Sequence, residues 1–570
     1  MSWIADLNRL FSFLLRWTAS LRGVRLMLGV FLAASIVSGL ANVAFLVLIN
    51  RILVARGAQA AAVLWTFIAL CVLLPLSRFV SGLLLLRIAA RAIFDLRTRL
   101  ARRILATPLR RVETLGVHRL VASLTDDVPA ISNALITVPN FVMQLFIVAG
   151  CLVYLGMLSW TVLLVVLGCM AIGIASYQLP VRAATSYLEH GREAWDQLAK
   201  GVQAVTLGIK ELKLHRGRRD AFFTQSYEPA AVLMEENSVR GRGLLLAATS
   251  WGHALSFVVL GLVLFGLPAL QGFDARVLTG YTLVILYMTA PLAGIMESLP
   301  ILTTANVAVQ KVESLGLALQ EDAEPVRELP APRPAPAVIE LAGASHTYRM
   351  EGDERAFQLG PMDLTIQPGD LVFVTGGNGS GKTTFAKLIC GLYRPETGDI
   401  RLHGEAVTDD SREAYRQQFS VVFSDCFVFD ALFGIDAARL DGQAEHYLRQ
   451  LQLDQVVSIR QGVLSTVEVS QGQRKRLALL TACLEDRPIY LFDEWAADQD
   501  PTFKEIFYRQ ILPELKAKDK TVIVISHDDR YYGVADRVLK LENGRIVADE
   551  RRAAGGGRVP AGELSPPPAA

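Results

Sequence analysis

The chain has 570 residues, enough for three or four domains at roughly 150 residues each. Hydrophobic residues make up 52% and charged residues only 20%, too apolar for a chain wholly in water and the opposite of a disordered one, so part of it must sit in lipid. A formal net charge of +2 excludes the strong basic field of a nucleic-acid binder, and no nucleic-acid partner is expected.

A bilayer core of roughly 30 Å asks for about 20 mostly apolar helical residues. Six stretches qualify: Val24 to Leu48, Ala61 to Leu83, Ile136 to Leu158, Thr161 to Tyr177, Leu244 to Leu267 and Leu278 to Leu299. The third and fourth are separated only by Ser159-Trp160 and form a helical hairpin. Between the second and third lie Arg87, Arg91, Arg97, Arg99, Arg102, Arg103, Arg110, Arg111 and Arg119, which place that segment in the cytoplasm. An even number of spans then leaves both termini cytoplasmic. Ahead of the first span, Ile4, Leu7, Phe11 and Leu14 recur at helical spacing and suit a helix lying in the inner interface. The cytoplasmic segments Arg87 to Ala134 and Val181 to Arg242 are long, charged and helix-prone, so the membrane helices are expected to continue well past the bilayer. Arg78 and Glu297 are the ionisable residues that suit a substrate path, but both fall near the cytoplasmic ends of spans two and six, where snorkelling to the interface is the plainer reading. Asn140, Gln144, Tyr154 and Tyr287 suit either a cavity lining or hydrogen bonds between helices.

These features give a membrane region over residues 1–321, followed by a Pro/Ala-rich linker at 322–337 that cannot hold a packed helix. From 338 to 550 short β-branched strands alternate with helical patterns, as in an α/β domain, and the Gly/Pro/Ala-rich residues 551–570 are expected to be disordered. The cysteines, Cys71, Cys151, Cys169, Cys390, Cys426 and Cys483, have no metal-site or disulfide spacing and read as small apolar side chains.

Chemistry concentrates in the α/β part. The apolar strand Leu371–Thr375 runs into Gly376-Gly377-Asn378-Gly379-Ser380-Gly381-Lys382-Thr383-Thr384 and then a helix, the GxxxxGK[ST] pattern in its strand-loop-helix setting. Its glycines let backbone N–H groups converge on phosphates at a helix N-terminus, Lys382 brings a positive charge to the β- and γ-phosphates, and Thr383 offers a hydroxyl to Mg²⁺. A second apolar strand, Ile489 to Phe492, ends in Asp493-Glu494. Asp493 is the expected Mg²⁺ ligand and Glu494 the general base that polarises the attacking water. A third strand ends in Ser526-His527, which brings an imidazole beside the same phosphates.

Between them, Val469-Ser470-Gln471-Gly472-Gln473 resembles the LSGGQ signature of ATP-binding cassette proteins, with Val469 and Gln471 in place of Leu and the first Gly. In order with the P-loop and Asp493-Glu494 the resemblance covers essentially the whole chain. It implies a type I exporter fold, six membrane helices fused to an α/β P-loop domain, with Ser470, Gly472 and Gln473 completing the ATP site of a second copy. It further implies that Tyr348 stacks on adenine and that Asp500, before Pro501, belongs to the loop crossing the dimer interface. Pro108 to Thr114 and Leu207 to Lys213 stand where such exporters place coupling helices. One departure is Ser424, which occupies the position of the Q-loop glutamine and is too short to copy its reach to Mg²⁺. Ser424 and the run Phe492 to Asp500 resemble the cyclic peptide exporter subgroup, which includes exporters resembling those for pyoverdine precursors and syringomycin-type lipopeptides.

The expectation is therefore an ATPase that exports a nonribosomal or cyclic peptide, or a peptide siderophore or its precursor, across the bacterial inner membrane as a homodimer, with room for a periplasmic or outer-membrane efflux partner. A lipid flippase of the same fold is the first alternative. An ATP-gated channel or sensor with little hydrolysis is the second, and Glu494 with His527 argues against it.

Overall fold

A computed structural model describes residues 24–54, 60–266, 275–320, 338–348, 357–435, 437–552 and 558–560. The expected interfacial helix around Ile4 to Leu14 and the Pro/Ala-rich linker lie outside these residues. The chain divides into two compact units, one of residues 1–100 and 121–315, the other of residues 101–120 and 316–570.

The first unit is helical. Its helices include Val24–Val54, Ala60–Ala106, Val128–Leu158, Trp160–Leu207, Glu228–Gly261 and Ala275–Gln320. Five helical stretches among the described residues are long and apolar enough to cross a membrane, and Val24–Val54 adds a shorter apolar stretch at Ile36–Ile52. At 1.5 Å per residue the 47-residue and 48-residue helices are each about 70 Å long, more than twice the bilayer core, as the charged segments after the second and fourth spans lead one to expect. Two buried clusters hold the unit. In one, Ala89, Ala92 and Leu96 meet Val128, Ile131, Ala305 and Val309. In the other, Leu46, Cys151, Leu155, Val162 and Val166 meet Val259 and Val284. Small side chains at such contacts let backbones approach, which helix packing in lipid requires. The Tyr287 hydroxyl donates to Asn42 Oδ1 at 2.6 Å and Asn50 Nδ2 donates to the Tyr154 hydroxyl at 2.8 Å, so both tyrosines tie helices together.

In the second unit, the strands Arg537–Glu542, Leu371–Thr375, Thr521–Ile525, Ile489–Asp493 and Phe419–Val422 run parallel in that order within a seven-stranded sheet, with Phe419–Val422 at one edge. Three of them read LVFVT, TVIVI and IYLFD and are buried almost throughout, the continuous apolar pattern of strands covered on both faces. A separate antiparallel sheet pairs Ile339–Tyr348 with Phe357–Ile366 and Thr397–Leu402. Of the tail 551–570 expected to be disordered, residues 551–552 and 558–560 are among the described residues, and these are strand. Arg545–Arg552 is one strand, antiparallel to Arg537–Glu542, and Arg558–Pro560 pairs with it as the sheet's outer strand, because the neighbour's unpaired backbone groups offer a template that outweighs the Gly-rich composition. Residues 101–120, which the sequence groups with the membrane helices, belong to this unit, and Leu109 packs against its apolar core.

Candidate nucleotide site

Parallel pairing puts the C-terminal ends of the central strands side by side, the edge where ligands bind in open α/β sheets. Thr375 leads into the P-loop there, Asp493 ends the neighbouring strand but one, and Ile525 between them leads to Ser526 and His527. Two glycines of the loop are required by geometry. Gly376 has φ 154° and a Cβ there would lie 2.2 Å from the Leu541 carbonyl oxygen; Gly381, at φ 98°, caps the helix Lys382–Ile389 in the left-handed region. Gly377, Asn378 and Gly379 are exposed, whereas Ser380 is buried with its Oγ unpartnered. Thr383 and Thr384 open the helix.

Lys382 is buried, and its Nζ donates to the carbonyls of Gly376 and Gly377 at 3.2 and 3.0 Å while standing 3.7 Å from Glu494 Oε1. The same Glu494 oxygen lies 2.9 Å from His527 Nε2. Glu494 itself has φ 50°, a conformation uncommon outside glycine and often found at functional sites. A cavity of about 270 Å³ opens beside this pair, lined by Ala497, Lys504, Ser526 and Arg530 among others. Asp493 is 0% exposed, and neither of its oxygens has a well-formed hydrogen bond. Burial pushes its carboxyl up to about 6, with the Thr383 hydroxyl and Lys382 opposing and the charges of Glu494 and Asp425 adding to the rise. An orphaned buried carboxylate beside a hydroxyl and a phosphate loop fits a hard divalent cation such as Mg²⁺, which keeps waters and takes few protein ligands.

The sequence-predicted residues thus fall into two groups. The P-loop, Asp493, Glu494 and His527 converge at one sheet edge. Ser470, Gly472 and Gln473 stand elsewhere: Ser470 caps the helix Gln471–Glu485 in a capping box with Gln473, and among the described contacts none joins these residues to the P-loop. They are bound to the loop after Glu494. Gln471 Nε2 donates to Asp498 Oδ2 at 3.1 Å, Gln499 Nε2 donates to the Gly472 carbonyl at 3.0 Å, and Arg476 Nη2 meets Asp500 Oδ2 at 2.7 Å. Buried Lys475 donates to the Glu494 carbonyl at 3.1 Å and pairs with Asp498 at 2.7 Å, while Trp495 Nε1 donates to the Lys475 carbonyl at 2.7 Å. Sequence reading passed over Lys475, Trp495, Asp498 and Gln499, whose only signal was a basic run after the signature and a polar run after the carboxylates.

Tyr348 ends its strand partly exposed, paired with Phe357, whose ring lies 3.0 Å from where a Gly381 Cβ would stand. Ser424 sits in a turn two residues past Val422, on the strand neighbouring Asp493. Asp500 accepts from the Phe503 N–H as a helix N-cap, and that bond with Arg476 nearby holds its carboxyl below the usual range.

Comparison with known proteins agrees with this architecture. Residues 359–497 match the family "ABC transporter" and residues 28–268 the "ABC transporter transmembrane region". The chain is 36% identical over 539 residues, 93% of itself and 95% of the relative, to "ATP-binding protein SyrD" of Pseudomonas syringae pv. syringae. It is 25% identical, over 83% of itself and 80% of the relative, to an "ATP-dependent lipid A-core flippase" of Burkholderia thailandensis. A solved bacterial Atm1-family ABC exporter with ATP bound shares the fold with TM-score 0.70 at 16% identity, covering 94% of this chain and 95% of that one. With both regions matched in one chain and a 36% identical relative along nearly all of it, the chain belongs to the ABC transporter family, as a multi-pass exporter whose fused ATP-binding domain is an ATPase coupled to transport.

Proposed function

We propose that two copies of this chain form a homodimeric exporter that moves a nonribosomally made or cyclic peptide, a peptide siderophore or its precursor, from cytoplasm to periplasm across a bacterial inner membrane, both termini staying cytoplasmic. The observation that carries the ATP-driven part is Glu494, whose Oε1 is held 2.9 Å from His527 and 3.7 Å from Lys382 at the mouth of the P-loop. A carboxylate fixed there accepts a proton from water attacking the γ-phosphate, and His527 orients it. The P-loop N–H groups and Lys382 hold the phosphates, and Tyr348 stacks on the base. Thr383 and Asp493 would hold Mg²⁺, which when bound would supply positive charge against the phosphates. Ser470, Gly472 and Gln473 face the nucleotide of the partner copy from a helix N-terminus, and Asp500 lies in the loop that crosses between copies.

The peptide cargo is supported by the subgroup resemblance at Ser424 and Phe492 to Asp500. The flippases, at 25–26% identity, support lipid export as the alternative. Deleting the gene and profiling medium and cells by mass spectrometry, with wild type or Glu494→Gln restored, separates them. A peptide that leaves the medium and returns only with wild type is expected; unchanged peptides with altered lipid distribution would replace this reading by the flippase.

A further inference from the structure

In the membrane unit, Glu297 is exposed on the helix Ala275–Gln320, and among the described residues its carboxylate has neither an ion pair nor a hydrogen bond. Counted from the first residues of their apolar stretches, Leu278 and Trp160, Glu297 lies about 28 Å along its helix and Tyr177 about 26 Å along the helix Trp160–Leu207. Both therefore stand near the far edge of a roughly 30 Å hydrocarbon core, the cytoplasmic edge in the proposed topology. Snorkelling asks for a long stem, whereas glutamate has only two methylenes, and the Glu297 charge acts on the hydroxyl of half-buried Tyr177.

The backbone at this depth adds acceptors. Pro180 has no N–H for the Ser176 carbonyl and Pro300 none for the Met296 carbonyl, so each helix frees the carbonyl of the residue just before Tyr177 or Glu297. Trp251 Nε1 donates to Ser176 Oγ at 3.0 Å, and that hydroxyl donates to the Gly173 carbonyl at 3.0 Å, which holds a half-exposed indole at the same level. An unpaired carboxylate, freed carbonyls and aromatic faces together suit a cation. We infer that Glu297 and Tyr177 form a recognition site for an ammonium or guanidinium group on an amphiphilic cargo, whose apolar part stays in the inner leaflet as the cation enters. An anionic headgroup is repelled there. The inference deepens the peptide-export reading and rests on it, selecting among peptides those with a basic group.

The test holds full-length protein in phosphatidylcholine nanodiscs and measures equilibrium binding, corrected for empty discs, of an N-dodecanoyl tripeptide amide with one lysine, of the same peptide with that lysine acetylated, and of lipid A. Wild type should bind the lysine peptide about tenfold or more tighter than the acetylated one, as a charge-assisted bond to a carboxylate implies. Glu297→Gln should bring the two peptides within about twofold of each other, with the acetylated peptide reporting that the variant is folded. Glu297→Asp should keep most of the difference, and Glu297→Lys, which should favour the acetylated peptide, carries the same test by a second substitution. Discs of phosphatidylethanolamine separate a peptide ammonium from a lipid one: the lysine preference should persist in them, and its loss would give the site to the lipid headgroup and overturn the inference. Equal binding of both peptides by wild type, or an unchanged preference in Glu297→Gln, overturns the inference and leaves peptide export standing. Wild type binding neither peptide overturns both, and lipid A bound instead would favour the flippase.

Discussion

At the residue scale the site turns on a division of labour between two neighbouring carboxylates. Asp493 is fully buried and unpartnered, whereas Glu494 is a third exposed and held by His527 and Lys382. Replacing Glu494 by Gln keeps its size and removes the proton acceptor, so hydrolysis should fall by about 10²–10⁴-fold with ATP affinity retained. Lys382→Ala should instead weaken nucleotide binding, since Lys382 is the cation of the phosphate loop. Turnover and equilibrium ATP binding on purified protein read both, and near-wild-type turnover in Glu494→Gln would remove it from the role of base. These residues were legible in sequence because each depends on neighbours within a few positions: a glycine spacing, or a carboxylate at the end of an apolar run. Lys475 was not. Its partners Glu494 and Asp498 lie 19 and 23 positions away, and nothing local distinguishes it from Arg474 or Arg476.

At the scale of elements, the signature helix and the loop after Glu494 behave as one piece. Lys475, its side chain only 4% exposed, holds the Glu494 backbone and Asp498, and Arg476 holds Gln499 and Asp500 while its guanidinium lies 3.7 Å over the Phe503 ring. Lys475→Met should destabilise the ATP-binding unit by about 2 kcal/mol, less than the 3–5 kcal/mol of a fully buried broken pair because Asp498 keeps access to water. At 2–4 °C per kcal/mol for a domain of this size, the thermal midpoint should drop by about 4–8 °C, and an unchanged midpoint in differential scanning calorimetry would mean the pair contributes nothing. Turnover should fall too, because the Glu494 backbone loses its donor. The helices Leu109–Leu115 and Ile209–Leu214 fall where the resemblance put coupling segments, at Pro108 to Thr114 and Leu207 to Lys213. What could not be read was that residues 101–120 pack with the ATP-binding unit, because Glu113 and Lys387 are 274 residues apart and composition carries no sign of such pairing. The outer strand Arg558–Pro560 escaped for the same reason: its partner, not its Gly-rich surroundings, makes it a strand.

At the scale of the whole molecule, the separation of the two halves of the site argues for assembly. Within one chain the P-loop belongs to the sheet edge with Glu494 and His527, whereas the capping box of Ser470 and Gln473 presents an exposed helix N-terminus bound to Asp498, Gln499 and Asp500. A helix N-terminus is a favourable partner for phosphate, and here it has no phosphate loop of its own chain within its described contacts. A two-fold dimer, as proposed, would place each signature against the partner's P-loop and make both sites equivalent, the self-complementary arrangement expected of a C₂ interface. The expected measurement is a cross-link. On a cysteine-free background with Glu494→Gln to retain ATP, copies carrying Asn378→Cys and copies carrying Ser470→Cys, both exposed positions, are mixed and oxidised. A disulfide between the two kinds of copy should form with ATP and Mg²⁺ and fade without nucleotide, since ATP is the shared ligand that closes the site. A chain carrying both cysteines that closes a disulfide only within itself would place signature and P-loop around one ATP in one copy, and the dimer would lose its physical basis.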